Sequence, residues 1–326
     1  MTRIALISTG GTIDSVGSSR LDHAHYTEHR TRLSAGELLA ALPEVLDVAD
    51  VEEVPFRRVP SYALTAADWA ALAGEADRLF AQDIAGLVIT HGTNTIEETA
   101  FALHLTVTSP KPVVLVGAMR PTNALAADGP LNLLDAVRVA AAPAARGVVV
   151  VLNQTIHAAA WVTKTTTVRA DAFGSPETGP IGRVGADGRV DFHSQPLDVG
   201  GSEKFHPNDL LAMPRVDIIT SHVGADGALI DAAVAAGAQG IVIAGTGAGR
   251  CTPGQDEAVD RAIAAGVAVC QATRVGAGRV SRSPQMRDRG LLTAEALVPW
   301  KARILLGLGL TRTRNVEELH AYFSPV

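Results

Sequence analysis

Short runs of consecutive apolar residues punctuate the first half of the chain: Ile4-Ala5-Leu6-Ile7, Leu87-Val88-Ile89-Thr90, Val113-Val114-Leu115-Val116 and Val148-Val149-Val150-Val151. They are rich in β-branched side chains and unbroken rather than alternating, which predicts strands buried on both faces. Between them lie longer segments, such as 65–80 and 95–105, whose apolar positions recur at helical spacing. Strands alternating with helices give an α/β class, a mostly parallel sheet covered by helices, with active groups at the carboxyl ends of the strands.

Further along, Val184-Gly185-Ala186-Asp187-Gly188-Arg189-Val190 reads as a hairpin turning at Asp-Gly. The pattern weakens over 196–214, which is assigned as a linker between a larger domain, 1–195, and a smaller α/β domain, 215–326. The smaller domain is expected to hold strands near 216–220, 240–244 and 267–271, with Ala-rich helices between them. No repeat of fixed period and no low-complexity tract interrupts either part.

Composition narrows the class. A chain of 326 residues with 47% hydrophobic content can fill a sizeable core in each of two domains. The net charge of −6 and the lack of a Lys/Arg-rich run argue against a nucleic-acid partner. Gly, Pro or charge interrupts every apolar stretch before the roughly 20 residues that a membrane helix needs, so no membrane partner is expected. The start of the chain lacks the long apolar core of a secretion signal, and a cytoplasmic location is expected. Cys251 and Cys270 are too few for a metal cluster or a disulfide framework, although one bridge between them stays open.

Candidate chemistry sits where apolar runs end. The first run leads into Ser8-Thr9-Gly10-Gly11-Thr12-Ile13-Asp14, where two glycines allow a sharp turn and leave the Thr12 hydroxyl at the mouth of the sheet. Taken alone, this reads first as a tight βα connection. The second run leads into Thr90-His91-Gly92-Thr93-Asn94-Thr95-Ile96-Glu97-Glu98, a second hydroxyl-bearing end able to face the same crevice. Thr95 and Glu98 there fit a helix capping box, and His91 is expected to be packed or hydrogen-bonded locally rather than to act as a base. Lys164 lies among threonines in Val162-Thr163-Lys164-Thr165-Thr166-Thr167, where a solvated charge is the default. Gly117-Ala118-Met119-Arg120-Pro121 offers backbone groups of the kind that hold an amide or an oxyanion.

In this order and spacing, Thr9-Gly10-Gly11-Thr12-Ile13, His91-Gly92-Thr93-Asn94-Thr95 and Val162-Thr163-Lys164 resemble the bacterial asparaginase/glutaminase family. The resemblance runs from Ile4 to the closing segment 316–322 and includes Asp128-Gly129-Pro130-Leu131-Asn132. It implies a flavodoxin-like larger domain, a smaller α/β domain and a homotetramer, a pair of intimate dimers with active sites between subunits. It further implies Thr12 as nucleophile, Tyr26 as its partner on a lid, a second set formed by Thr93 and Lys164, and Ser61 on the substrate's carboxylate. Gly11, Gly92 and Ala118 fall in the matching turns. Independently, 15–32 is rich in small and charged residues and reads as a loop able to close over a substrate.

The pattern breaks where the family binds the amino group of asparagine. Asn94 replaces the family's aspartate, Tyr62-Ala63 follows Ser61, Arg250 closes Gly245-Thr246-Gly247-Ala248-Gly249, and the acidic residue lent by a partner subunit falls near Ser283. Loss of the charge at 94 should leave Lys164 easier to deprotonate. The expectation is an asparaginase-like amidohydrolase whose substrate lacks a free α-ammonium, with Arg250 facing a carboxylate. Two alternatives remain: an ordinary asparaginase of relaxed affinity, in which Asn94 binds through its amide oxygen, and a non-catalytic ligand-binding relative. Gly10-Gly11-Thr12 lacks the glycine spacing of a dinucleotide site. His23, His25 and His29 have no carboxylates arranged with them for a metal. No cofactor is expected.

Overall fold

The computed structural model describes residues 1–28, 31–195, 200–201 and 203–324. The chain divides into two compact units, 1–196 and 197–326.

The larger unit runs β1 (Arg3–Ser8), α1 (Ala35–Ala40), β2 (Asp50–Val54), α2 (Ala66–Phe80), β3 (Gly86–Thr90), α3 (Ile96–Thr106), β4 (Val113–Val116), α4 (Gly129–Ala141) and β5 (Val148–Leu152). Then follow β6 (Thr155–Ala158), β7 (Thr163–Lys164), β8 (Phe173–Gly174), β9 (Gly182–Val184) and β10 (Val190–Phe192). Eight strands form one sheet in the order β2-β1-β3-β4-β5-β6-β9-β10. The first five are parallel and the last three pair antiparallel. β7 and β8 form a separate ribbon.

The four apolar runs are the centre of this sheet. Every residue of β3, β4 and β5 is buried. Successive side chains of β1 feed two cores: Ile4 and Leu6 join Leu133 and Val137 of α4 on one face, Ala5 and Ile7 join Leu72 and Ala76 of α2 on the other. β2 was not expected, since Asp50, Glu52 and Glu53 disguise it; it lies at the sheet edge, where polar residues stay in water. β6 escaped as well: Asn153 and Gln154 adopt φ of 49° and 59°, the two-residue hairpin turn that positive φ permits, and fold β6 back on β5.

Thr65 and Asp68 form a capping box at the start of α2. The capping box expected at Thr95 and Glu98 does not form. The Thr95 hydroxyl instead donates to the Ser61 carbonyl at 2.8 Å, tying the start of α3 to a neighbouring turn. The parallel order 2-1-3-4-5 reverses direction between β1 and β3, and at such a switch point the connections leave on opposite faces and open a crevice beyond the carboxyl ends. Thr12 and Thr93 follow those two strands.

The smaller unit contains α5 (Asp209–Ala212), β11 (Val216–Thr220), α6 (Ala228–Ala235), β12 (Gly240–Gly245), α7 (Pro253–Ala264), β13 (Ala268–Thr273), α8 (Pro284–Asp288), β14 (Leu292–Thr293), α9 (Pro299–Gly309) and α10 (Val316–Ala321). Its four strands are parallel in chain order. The stretch 196–214, expected as a linker, carries α5; its residues 196–199 and 202 lie outside the described residues. Cys251 and Cys270 are free thiols. Among the described residues no helix is long and apolar enough to cross a membrane.

Candidate active site

The carboxyl ends of β1 and β3 are sewn together. The N–H and hydroxyl of Thr9 donate to the Thr90 carbonyl at 3.0 and 2.9 Å, and the Thr90 hydroxyl donates to Ser8 Oγ at 3.1 Å. Beyond this seam the two turns touch. A Cβ on Gly11, whose φ is +124°, would fall 2.6 Å from the backbone of Gly92, and one on Gly92 would fall 2.8 Å from Ser61 Oγ. Glycine at both positions is therefore what lets the first turn, the second turn and Ser61 stack in one place.

Thr12 begins a single 3-10 turn, Thr12–Asp14, and its Oγ1 lies 2.7 Å from the Tyr26 hydroxyl. Tyr26 stands on another such turn, Tyr26–Glu28, within the loop 15–32. The ends of that loop are closed by a bridge between Ser15 and Arg32 and by the Val16 N–H donating to the Thr31 carbonyl at 3.0 Å. Its first end is also clasped by Asn123, which exchanges two 2.7 Å hydrogen bonds with the backbone of Gly17. His29 of the loop lies outside the described residues.

Thr93 is buried just past β3, and Lys164 on β7 donates to its Oγ1 at 3.0 Å. Glu97, in the first turn of α3, sits against the same lysine and accepts the Lys164 backbone N–H at 3.2 Å. Burial holds the Lys164 ammonium below the usual lysine value, and the Glu97 carboxylate opposes that shift. Glu97→Gln removes the opposing charge, so the pH limb that reports Lys164 deprotonation is expected to move to lower pH. A pH profile of kcat/KM checks this; a shift to higher pH contradicts it.

His91 is fully buried, and burial pushes its imidazole down to about 4. Nδ1 meets the Gly92 carbonyl at 2.8 Å, so it carries the hydrogen of a neutral ring. The segment 117–121 is more committed than its sequence suggested. The N–H groups of Met119 and Arg120 donate to the Asp128 carboxylate at 2.9 Å each, the Gly117 carbonyl accepts from Asn132, and Ala118 is buried in the core.

The larger unit thus gathers Gly11, Thr12, Tyr26, Ser61, Gly92, Thr93 and Lys164. Ser61 is buried, whereas Tyr62, 71% exposed, and Asn94 are open to solvent. Arg250 and Ser283 belong to the smaller unit. Arg250 is exposed and closes a turn through reciprocal backbone bonds with Thr246. Ser283 caps α8, its Oγ accepting the Met286 N–H at 3.2 Å, a local role that its following Pro284 already signalled.

Comparison with known proteins decides the family. The N-terminal asparaginase domain matches residues 3–198 and the glutaminase/asparaginase C-terminal domain matches 215–323. The chain belongs to the asparaginase family. Similar to it are L-asparaginase 2 of Bacillus subtilis, 39% identical over 99% of this chain and 86% of that protein, and a probable periplasmic L-asparaginase of Haemophilus influenzae, 36% identical over 99% and 93%. A probable cytoplasmic L-asparaginase of Campylobacter jejuni superposes with a TM-score of 0.94 at 37% identity, covering 100% of both chains. The chain is accordingly an asparaginase-family amidohydrolase, acting on carbon–nitrogen bonds other than peptide bonds. The names of these relatives lend no support to a substrate other than asparagine.

Proposed function

We propose that the protein hydrolyses the side-chain amide of L-asparagine through a covalent intermediate on Thr12. The 2.7 Å contact between Thr12 Oγ1 and the Tyr26 hydroxyl carries this reading, because it gives a buried, otherwise sluggish hydroxyl a partner for its proton. Thr12 Oγ attacks the amide carbon and its proton passes to the base. The tetrahedral intermediate is stabilised by backbone N–H groups around the turn. The C–N bond breaks, the nitrogen takes up the proton and ammonia leaves; water then attacks the ester, and Thr12 regains its proton as the acid departs. Thr93 and Lys164 form the second polar set, with Lys164, held below its usual value, supplying base character. Ser61 takes the substrate's carboxylate.

Asn94 supports a second reading. An amide oxygen attracts an α-ammonium less than a carboxylate does, and the whole worth of a charge-assisted hydrogen bond, about 1.5–3 kcal/mol, caps the loss at roughly one to two powers of ten in affinity. On that reading the substrate is an amide whose amino group is acylated or absent. Ammonia release from L-asparagine, D-asparagine, L-glutamine, N-acylated asparagines and amino-free amides separates the two. Asn94→Asp is expected to lower KM for L-asparagine by about tenfold; no gain counts against the charge argument at 94, whereas turnover by the parent confined to amino-blocked or amino-free amides favours the second reading.

The homotetramer implied by the family belongs to this proposal and is tested by sedimentation. So does a cytoplasmic location, which rests on the Campylobacter relative against the periplasmic Haemophilus one and is tested by cell fractionation.

A further inference from the structure

Two residues beyond Thr12, where the first turn runs into the lid, the side chain of Asp14 is wholly buried, 0% exposed. Its Oδ2 accepts from Arg58 Nη2 at 2.5 Å. Its Oδ1 has the Arg32 guanidinium at 3.7 Å and no hydrogen bond among the described residues. Arg58 also donates to the Leu33 carbonyl, while the Leu33 N–H donates to the Asp14 carbonyl at 2.7 Å. Arg32 packs over the first turn so closely that a Cβ on Gly10 would lie 2.8 Å from its Nη1. Glu37 of α1 also lies within electrostatic reach of Arg58.

Three segments meet here: the turn that bears Thr12, the second root of the lid at Arg32 and Leu33, and the stretch from Arg58 to Ser61, whose Val59 N–H donates to the Thr9 carbonyl at 3.0 Å. The mechanism above uses none of these charges. Buried ion clusters are weak sources of stability, since desolvation offsets most of their attraction. What the cluster does supply is geometric. Asn123 clasps the lid's first root, and Asp14, Arg32 and Arg58 clasp its second, so the lid leaves and re-enters the body beside the nucleophile.

We infer that Asp14, Arg58 and Arg32 form an ionic latch that holds the lid's second root against the nucleophile turn and thereby brings Tyr26 to Thr12. Asp14 is the positioning residue at its centre. The inference rests on the assignment of Thr12 and Tyr26 above. Burial outweighs the two guanidiniums and keeps the Asp14 carboxyl above the usual aspartate value, so the latch loses its charge at a less acidic pH than an exposed aspartate would. The sign for stability follows: the folded state holds this proton more tightly than the unfolded chain, so ionised Asp14 is a net cost that appears as pH rises through the raised value. A neutral replacement of Asp14 is therefore expected to loosen the lid without quickening exchange through the rest of the larger unit.

The test is Asp14→Asn, with Arg58→Met as a second variant and Arg58→Lys as the conservative one, in the full chain. Amide hydrogen exchange over residues 16–28 is expected to quicken in Asp14→Asn and Arg58→Met and to recover partly in Arg58→Lys. With L-asparagine, kcat/KM is expected to fall about tenfold, as a shift in the closed population of that size requires. The acid limb of its pH profile should lose the Asp14 titration. Lid exchange unchanged from the parent overturns the latch. So does exchange quickened throughout the larger unit with a lower melting temperature, which makes Asp14 a stabilising residue only, or a loose lid with undiminished turnover. Turnover surviving in Thr12→Ala sinks the active-site assignment instead, and lid exchange in Asp14→Asn still reads the latch directly.

Discussion

Thr12→Ala is expected to lower turnover of L-asparagine by at least roughly 10⁴-fold, the scale seen when a covalent nucleophile is removed from an acyl-transfer site. KM should change much less, because the proposed reading assigns substrate affinity to Ser61 and the surrounding backbone. The fold should be nearly indifferent. The lost hydroxyl leaves one hydrogen bond unmade, to a half-buried Tyr26 hydroxyl that water can reach, a cost of about 1 kcal/mol. Steady-state ammonia release together with thermal melting checks both halves. Retained turnover in a folded variant would show that the attacking group lies elsewhere.

The second large effect is expected at Lys164. Lys164→Met keeps the length of the side chain and removes its nitrogen, and kcat should fall by about 10²–10⁴-fold, the usual contribution of a positioned acid or base. The limb of the pH profile that Glu97→Gln shifts should vanish altogether in this variant. Stability moves the other way. Burial lowers the folded-state value of Lys164 below its unfolded one, so the group weakens the fold at low pH, and the penalty fades as pH rises through the lowered value toward the unfolded one. At neutral pH the methionine variant should therefore melt no lower than the parent. A fall in kcat accompanied by a clear drop in melting temperature would make Lys164 a structural residue.

Much of the scaffold was legible because its signals are local. The continuous apolar runs became the central parallel strands, and the turns after β1 and β3 advertised Thr12 and Thr93 through adjacent glycines. Lys164 was visible only through family resemblance, since the strand that carries it has two residues and no pattern of its own. What pattern reading missed is long-range. Asp14 meets Arg58 across 44 residues, and Glu97 meets the Lys164 backbone across 67, and no periodicity links such pairs. Thr95 and Ser283 went astray in opposite ways. Thr95 sits at a cap position but bonds to Ser61, because the tertiary partner outcompetes the local one. Ser283, singled out for chemistry, makes the local cap that Ser-Pro at a helix start favours.

The most direct test of the account is to quench the enzyme with acid during turnover of L-asparagine and map the acylated residue by peptide mass spectrometry. The account predicts an aspartyl ester on Thr12, absent from Thr12→Ala. An adduct on Thr93 or on any other side chain would contradict it.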